Sequence, residues 1–315
     1  MKRFLLVLML AFPVACGKET PVPSVPDSPQ TPETPPETED TRITVKIATY
    51  NIRCLNSADI DYKSWEFRKG NVAKMVKDRG FEIVGFQEVS EGQVSDLKGS
   101  LPEFDFLLIG RNDGATKGES VGIAWLKERF TAVRTGRFFL SATPDVVSSP
   151  YPEWTSTDPG RNRVVAWAVL KEKASGRSML FFSTHFEVGK TDDATIRLRS
   201  AELVVAQEAQ LNTAHLPFVL VGDLNSKSTD SCQAELRKSF TDAYMAANEA
   251  GVREGPIGTS NGHDYSANYL DNNGLRIDYI YFKGDVDILR YRVCDEKYDG
   301  YYPSDHCPVL AELKL

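Results

Sequence analysis

Short apolar runs recur along most of this chain, and nearly all of them stop at a polar or charged residue. Their lengths predict strands more often than helices. Ile43–Tyr50 (ITVKIATY) and Glu82–Gln87 (EIVGFQ) read as strands on either side of a helical stretch, Phe67–Arg79. Further strands are predicted at Val121–Leu126, Val164–Leu170, Met179–His185, Pro217–Gly222, Leu275–Phe282 and Pro308–Leu313. Several are apolar almost without interruption, the pattern of strands covered on both faces. The clearest helix runs from Asp192 to Leu211. Ile196, Leu203, Val204 and Leu211 share one face of it, while Arg197, Arg199, Glu202 and Glu208 supply polar positions. Many strands, few helices and long polar loops predict an α/β domain of packed sheets with outer helices. No internal repeat and no second linker interrupts it, so residues 42–315 are expected to be one domain.

The first forty residues follow other rules. Met1-Lys2-Arg3 is a basic start, and FLLVLMLAFPV is an apolar run too short to span a bilayer as a helix. Residues 1–15 therefore read as a signal peptide. Cys16 then resembles the lipid-modified cysteine of a bacterial lipoprotein, although Pro13 stands where such signals usually carry Leu. Ordinary cleavage near Ala15 is the alternative. Residues 16–41 read as a disordered tether, because seven of the chain's 17 prolines lie in residues 20–40 and no aromatic residue does. A lipid on Cys16 gives that spacer a purpose. The expectation is an exported, membrane-anchored lipoprotein, a monomer whose partner is a membrane reached through the lipid at Cys16. No later segment is long and apolar enough to cross a membrane. Cys54, Cys232, Cys294 and Cys307 remain, and their pairing is left open.

Charge narrows the chemistry. The chain has 37 Lys+Arg against 44 Asp+Glu, a net −7. Residues 1–41 hold three basic and six acidic residues, which leaves −4 for the remainder. Such a balance excludes a strongly basic nucleic-acid binder held mainly by phosphate contacts. An enzyme that recruits positive charge as a metal stays open.

The residues that end the strands then matter most. Asn51, Glu88, Glu119, His185, Asp223 with Asn225, Asp278, and Asp305 with His306 all sit at or beside such ends. Each has a bland reading alone: a turn former, an ion pair, a packed histidine. So many together are not expected by accident, because buried charges need partners. Carboxylates and amides without cysteine ligands suit a hard cation, Mg²⁺ or else Mn²⁺. Two histidines beside carboxylates offer proton transfer. The combination points to phosphoester hydrolysis.

The succession TYNIR, GFQEV, GES, STHFEVG, VGDLNS, RIDYIYF and PSDHCPV resembles the endonuclease/exonuclease/phosphatase superfamily, the deoxyribonuclease-I-like fold. The likeness runs from about Ile43 to Leu313. It implies a four-layered α/β sandwich of two packed mixed sheets flanked by helices, with a site at one edge. By that resemblance Glu88 is the principal metal ligand, Asn51 supports it and Asp305 is a second acidic group near the metal. Asp223 and Asn225 orient water and contact phosphate. His306 is a catalytic histidine with Asp278 as its carboxylate partner, and His185 is the opposite histidine with Glu119 as its partner. Arg163 resembles a family arginine near the site, its alternative being a surface ion pair. The loop Gly258–Tyr265 departs from the family's pattern, and His263 is its only candidate.

Loops decide substrates in such folds. The expected substrate is a phosphate ester, with nucleic-acid phosphodiesters placed slightly ahead of small organic phosphates. Phospholipid cleavage of the sphingomyelinase kind is an alternative, for which Tyr151 and Trp154 would be the exposed aromatics. Tyr298, Tyr301 and Tyr302 are available for stacking. A noncatalytic surface-binding lipoprotein that keeps the fold is the reading from another class.

Overall fold

Alternation along the strands sorts the side chains into three apolar layers. On β1 (Thr44–Asn51), Val45 and Ile47 face one way while Ala48 and Tyr50 face the other. The computed structural model describes residues 17, 40–149, 161–188, 193–266 and 268–315, with Asp193 described by its backbone alone. The expected signal peptide, nearly all of the tether with Cys16, and the Tyr151/Trp154 loop lie outside the described residues.

After β1 come α1 (Trp65–Asp78), β2 (Ile83–Val89), α2 (Glu91–Ser100), β3 (Phe104–Gly110), β4 (Ser120–Leu126) and β5 (Phe130–Phe139). Next are β6 (Val164–Glu172), β7 (Ser178–His185), α3 (Asp193–Leu211), β8 (Phe218–Asp223), α4 (Ser231–Leu236) and β9 (Thr241–Asp242). The chain closes with α5 (Ala243–Glu249), β10 (Arg253–Glu254), α6 (Tyr269–Asn272), β11 (Asp278–Lys283), β12 (Asp287–Val293) and β13 (Val309–Lys314). They form a seven-stranded sheet in the order β10-β12-β13-β1-β2-β4-β3 and a six-stranded sheet in the order β5-β6-β7-β8-β11-β9. Both sheets are mixed, and helices cover their outer faces. The expected α/β sandwich is the observed fold.

Ile47, Ile83 and Leu313 of the first sheet meet Phe181, Val221 and Ile280 of the second in the central layer. Tyr50, Val84 and Phe86 pack under α1 with Val72 and Val76. Leu180, Phe182 and Leu220 pack against Ala201 and Val204 of α3. Burial on both faces is why these strands read as continuous apolar runs. Gly85 marks a close approach of the sheets: a Cβ there would run into the Val221 side chain, with Ser183 Oγ at 2.8 Å.

Five observed strands escaped the apolar pattern: β3, β5, β12 and the two-residue β9 and β10. β3 and β5 are sheet edges, and β12 lies next to the short β10 edge. β5 exposes Thr131, the run Val133–Thr135 and Arg137, while β12 exposes Asp287 and Leu289. At the other extreme Leu275–Ile277, expected as strand, precedes β11. Cys54, Cys232, Cys294 and Cys307 are all free thiols. No helix among the described residues is long and apolar enough to cross a membrane.

Candidate active site at the sheet edge

The side chains that face the central core stay apolar along each strand and become polar at one end. On β7 the inward series Met179, Phe181 ends in His185, and on β8 Val219, Val221 ends in Asp223. On β11 the same face begins at Asp278 and continues as Ile280 and Phe282. Strand register then sets His185 opposite Asp223, and Asp223 opposite Asp278. β1 brings Asn51 opposite Gln87 on β2. A break in register after Phe86 puts Glu88 at φ 60°, a left-handed conformation that costs a non-glycine residue energy. The site is thus the polar rim of the inter-sheet core.

Asn51 is the link across the two sheets. Its Nδ2 donates to Glu88 Oε1 and to Asp223 Oδ2, both at 3.0 Å, while its Oδ1 accepts from the Arg53 backbone N–H. That last bond fixes which way the amide faces. Asn51 thus supports both carboxylates through its amide nitrogen, while its Oδ1 keeps a second lone pair. Glu88 Oε2 accepts from the Cys54 N–H at 3.0 Å. Burial works against the Glu88 charge, but His185 alongside and the Asn51 and Cys54 donors win, and its carboxyl lies below the ordinary range.

Asp223 lies between the two histidines. Its Oδ2 is 3.6 Å from His185 Nε2 and 3.8 Å from His306 Nε2, and its Oδ1 accepts from the Asn225 N–H at 2.9 Å. Asn225 Nδ2 donates to the Phe186 carbonyl. Burial and the neighbouring Asp278 charge push the Asp223 carboxyl up to about 7, against the pull of His306 and the Asn225 and Asn51 donors. The histidines shift in opposite directions. Burial, with Arg163 and Arg111 nearby, holds His185 well below its ordinary value. Burial also opposes charge on His306, but Asp278 outweighs it, helped by Asp223 and Asp305, and His306 is held well above. His306 Nδ1 meets Asp278 Oδ2 at 2.8 Å, as expected of that pair. The Thr259 hydroxyl donates to the same oxygen at 2.6 Å and accepts from the Asp278 N–H.

Two of the expected acidic residues have arginine partners. Glu119 was expected beside His185, but both of its oxygens are taken by Arg111, at 2.7 and 2.8 Å. Burial still raises its carboxyl, with Arg111 opposing and Glu88 adding to the rise. Asp305, expected near the metal, lies close enough for its charge to act on Glu88 and His306, and its Oδ2 accepts from Arg53 Nη1 at 2.5 Å, while Arg53 also grips Asp59. Arg163 is no surface residue: it is 2% exposed, pairs with Glu187 at 3.1 Å and lines a narrow cleft with Glu88, Arg111, Glu119 and His185. His263 is buried in the departing loop, its Nε2 without a hydrogen-bond partner, and burial lowers it to about 4.

Arg53, Arg111 and Thr259 escaped sequence reasoning. Arg53 and Arg111 are counter-charges for the acidic rim, and so many buried carboxylates had to be balanced by something. A basic residue directly after the first strand was the available signal.

The donor set fits a divalent cation. Glu88, His185 and Asp223 present ligand atoms within 4.8 Å of one another. Each Glu88 oxygen accepts one N–H and keeps a lone pair. Cys54 lies with Glu88 and Glu119 in a neighbouring group, but burial and those carboxylates push its thiol up to about 12. Oxygen and neutral imidazole, not thiolate, are what the site offers near neutral pH.

Residues 48–306 match the Endonuclease/Exonuclease/phosphatase family. An endonuclease/exonuclease/phosphatase family protein from Bacteroides thetaiotaomicron superposes with a TM-score of 0.77 at 31% identity, over 86% of this chain and 98% of that one. A mannosyl-6-phosphatase from Bacteroides thetaiotaomicron VPI-5482 gives 0.76 at 31% identity, over 86% of this chain and 100% of its own. The human Nocturnin catalytic domain gives 0.65 over 87% and 96% of the two chains, and at 18% identity that likeness shows the fold alone. No curated protein sequence matches the chain.

Proposed function

This chain belongs to the Endonuclease/Exonuclease/phosphatase family, whose members are metal-dependent hydrolases of phosphoester bonds, and from that membership we propose that it hydrolyses small organic phosphate monoesters. The observation that carries the hydrolytic reading is Asp223 Oδ2, flanked by the Nε2 atoms of His185 and His306 and tied through Asn51 to Glu88. Glu88 and Asp223, with His185 beside them, would hold Mg²⁺ or Mn²⁺. When bound, that ion supplies Lewis-acid stabilisation of phosphoryl charge. Asp223, set between the Nε2 atoms of His185 and His306, orients the attacking water and takes its proton. His306 keeps its proton because Asp278 faces its other nitrogen, and it presents an N–H to the phosphoryl group or leaving oxygen. His185 stays neutral and turns Nε2 to the same space.

Monoesters move ahead of nucleic acid for two reasons. The mannosyl-6-phosphatase shares 31% identity over its full length, which favours a sugar phosphate. The tyrosines held available for stacking bases are engaged internally: Tyr301 stacks on Tyr62 with centroids 4.4 Å apart, and Tyr302 stacks on Tyr265 at 5.4 Å. Phosphate release should be measured from mannose 6-phosphate, glucose 6-phosphate, a phosphodiester and single-stranded DNA. Turnover of the sugar phosphates above the others supports the reading. Cleavage of DNA or diester with none of the sugar phosphates would overturn it.

A further inference from the structure

Next to that rim, a cavity of about 450 Å³ opens where the end of α4 and the start of α5 meet the segment ahead of β11. Lys227, Arg237 and Arg276 line it, and no carboxylate does. Arg276 is already satisfied. Its two terminal nitrogens hold Asp242 at 3.1 and 2.9 Å, and its guanidinium lies 4.4 Å from the ring centroids of Tyr244 and Tyr279.

Lys227 and Arg237 are different. Among the described residues neither has a carboxylate within 4.0 Å, and Arg237 Nη1 is buried with no hydrogen-bond partner. That nitrogen is closed to solvent, so an anion in the cavity would be met by the other donors of Arg237 and by Lys227. The remaining wall is apolar. Met245, Ile257 and Leu275 are 52%, 46% and 46% exposed, which is unusual for three large hydrophobic residues gathered at one opening. The volume lies in the range of small-molecule sites and is far more than a bare oxyanion fills.

We propose that this cavity is a binding site, separate from the hydrolytic centre, for an organic phosphate-type dianion carrying an apolar or aromatic substituent. The oxyanion lies between Arg237 and Lys227, where the guanidinium can offer two parallel N–H donors. The substituent covers Met245, Ile257 and Leu275. None of these residues belongs to the catalytic rim, so the site stands whether or not monoesters are the substrate.

Phenylphosphonate is the probe, because its P–C bond resists hydrolysis. Calorimetric titration of the full chain in EDTA should show saturable binding at a single site, tighter than for inorganic phosphate. Lys227→Ala/Arg237→Ala should weaken it by about tenfold or more, the loss of charge-assisted hydrogen bonds. Glu88→Ala should bind like the native chain, and the double variant should keep its metal-dependent turnover and melting temperature. No saturable binding by the native chain, equal affinity in the double variant, or loss in Glu88→Ala would each overturn the proposal.

Discussion

Replacing Asp278 by Asn tests the electrostatic design of the site with almost no change of shape. Asp278 Oδ2 carries both the His306 and the Thr259 contacts, at 2.8 and 2.6 Å, whereas Oδ1 is buried with no partner. The variant's amide nitrogen can occupy the Oδ1 position and leave an oxygen facing His306 and Thr259. Geometry is kept and the negative charge is lost. Two charges about 4 Å apart at an effective dielectric near 20 interact by roughly 4 kcal/mol, an upper bound that competing solvation reduces. A loss on the order of 2–4 kcal/mol for the protonated imidazole translates to about 30- to 1000-fold in turnover. The sign on the pH axis is also fixed. His306 is held above its ordinary value, so the protonated form is lost as pH rises through the folded-state pKa. Removing the charge brings the alkaline decline of kcat/KM to lower pH. The same linkage makes the stability gap between native chain and variant largest at pH values below the ordinary histidine range, shrinking as the solution becomes alkaline. The assay is a pH series of kcat/KM on p-nitrophenyl phosphate at saturating Mg²⁺, with thermal melts over the same range. Turnover within about threefold of native and an unmoved alkaline limb would show that the Asp278 charge does not hold the His306 proton.

Glu88→Ala should raise the Mg²⁺ or Mn²⁺ concentration for half-maximal activity by about tenfold or more, with metal affinity read separately by calorimetry; unchanged affinity removes Glu88 as a ligand. Gly85→Ala should destabilise the domain by about 1–3 kcal/mol in a denaturant melt, because Val221 must give way within a packed core. Stability equal to native would show that the sheets are not in tight contact there. We also propose the lipid anchor at Cys16, for which Cys16→Ser should release the chain from the membrane fraction of an expressing bacterium. A variant that stays in that fraction, like the native chain, would rule the anchor out.

What the sequence made legible follows from burial. Strands covered on both faces, such as Phe218–Asp223, announce themselves as apolar runs, and their polar ends stand out against that background. Asp223, Asp278 and His185 were readable for this reason, and register alone aligns them. Edge strands carry polar residues on the exposed face, so Phe130–Phe139 gave no comparable signal. Charge balance was harder still. Arg111 intercepts Glu119 from a loop, eight residues earlier in sequence, and Arg53 intercepts Asp305 from the other end of the chain. Such pairings depend on where loops close in space, which neither periodicity nor spacing encodes. Thr259 shows the same limit: its hydroxyl secures Asp278 from the loop that departs from the family pattern.

Metal-dependent phosphoester hydrolysis is proposed for the rim formed by Glu88, Asp223, His185 and His306. Its most direct test is inorganic phosphate released from mannose 6-phosphate by the purified folded chain, measured with Mg²⁺ or Mn²⁺, with EDTA, and after metal is restored. Release that vanishes with chelator, returns with metal and collapses in His306→Ala is the expected result. Release that ignores EDTA, or persists unchanged in His306→Ala, would contradict the account.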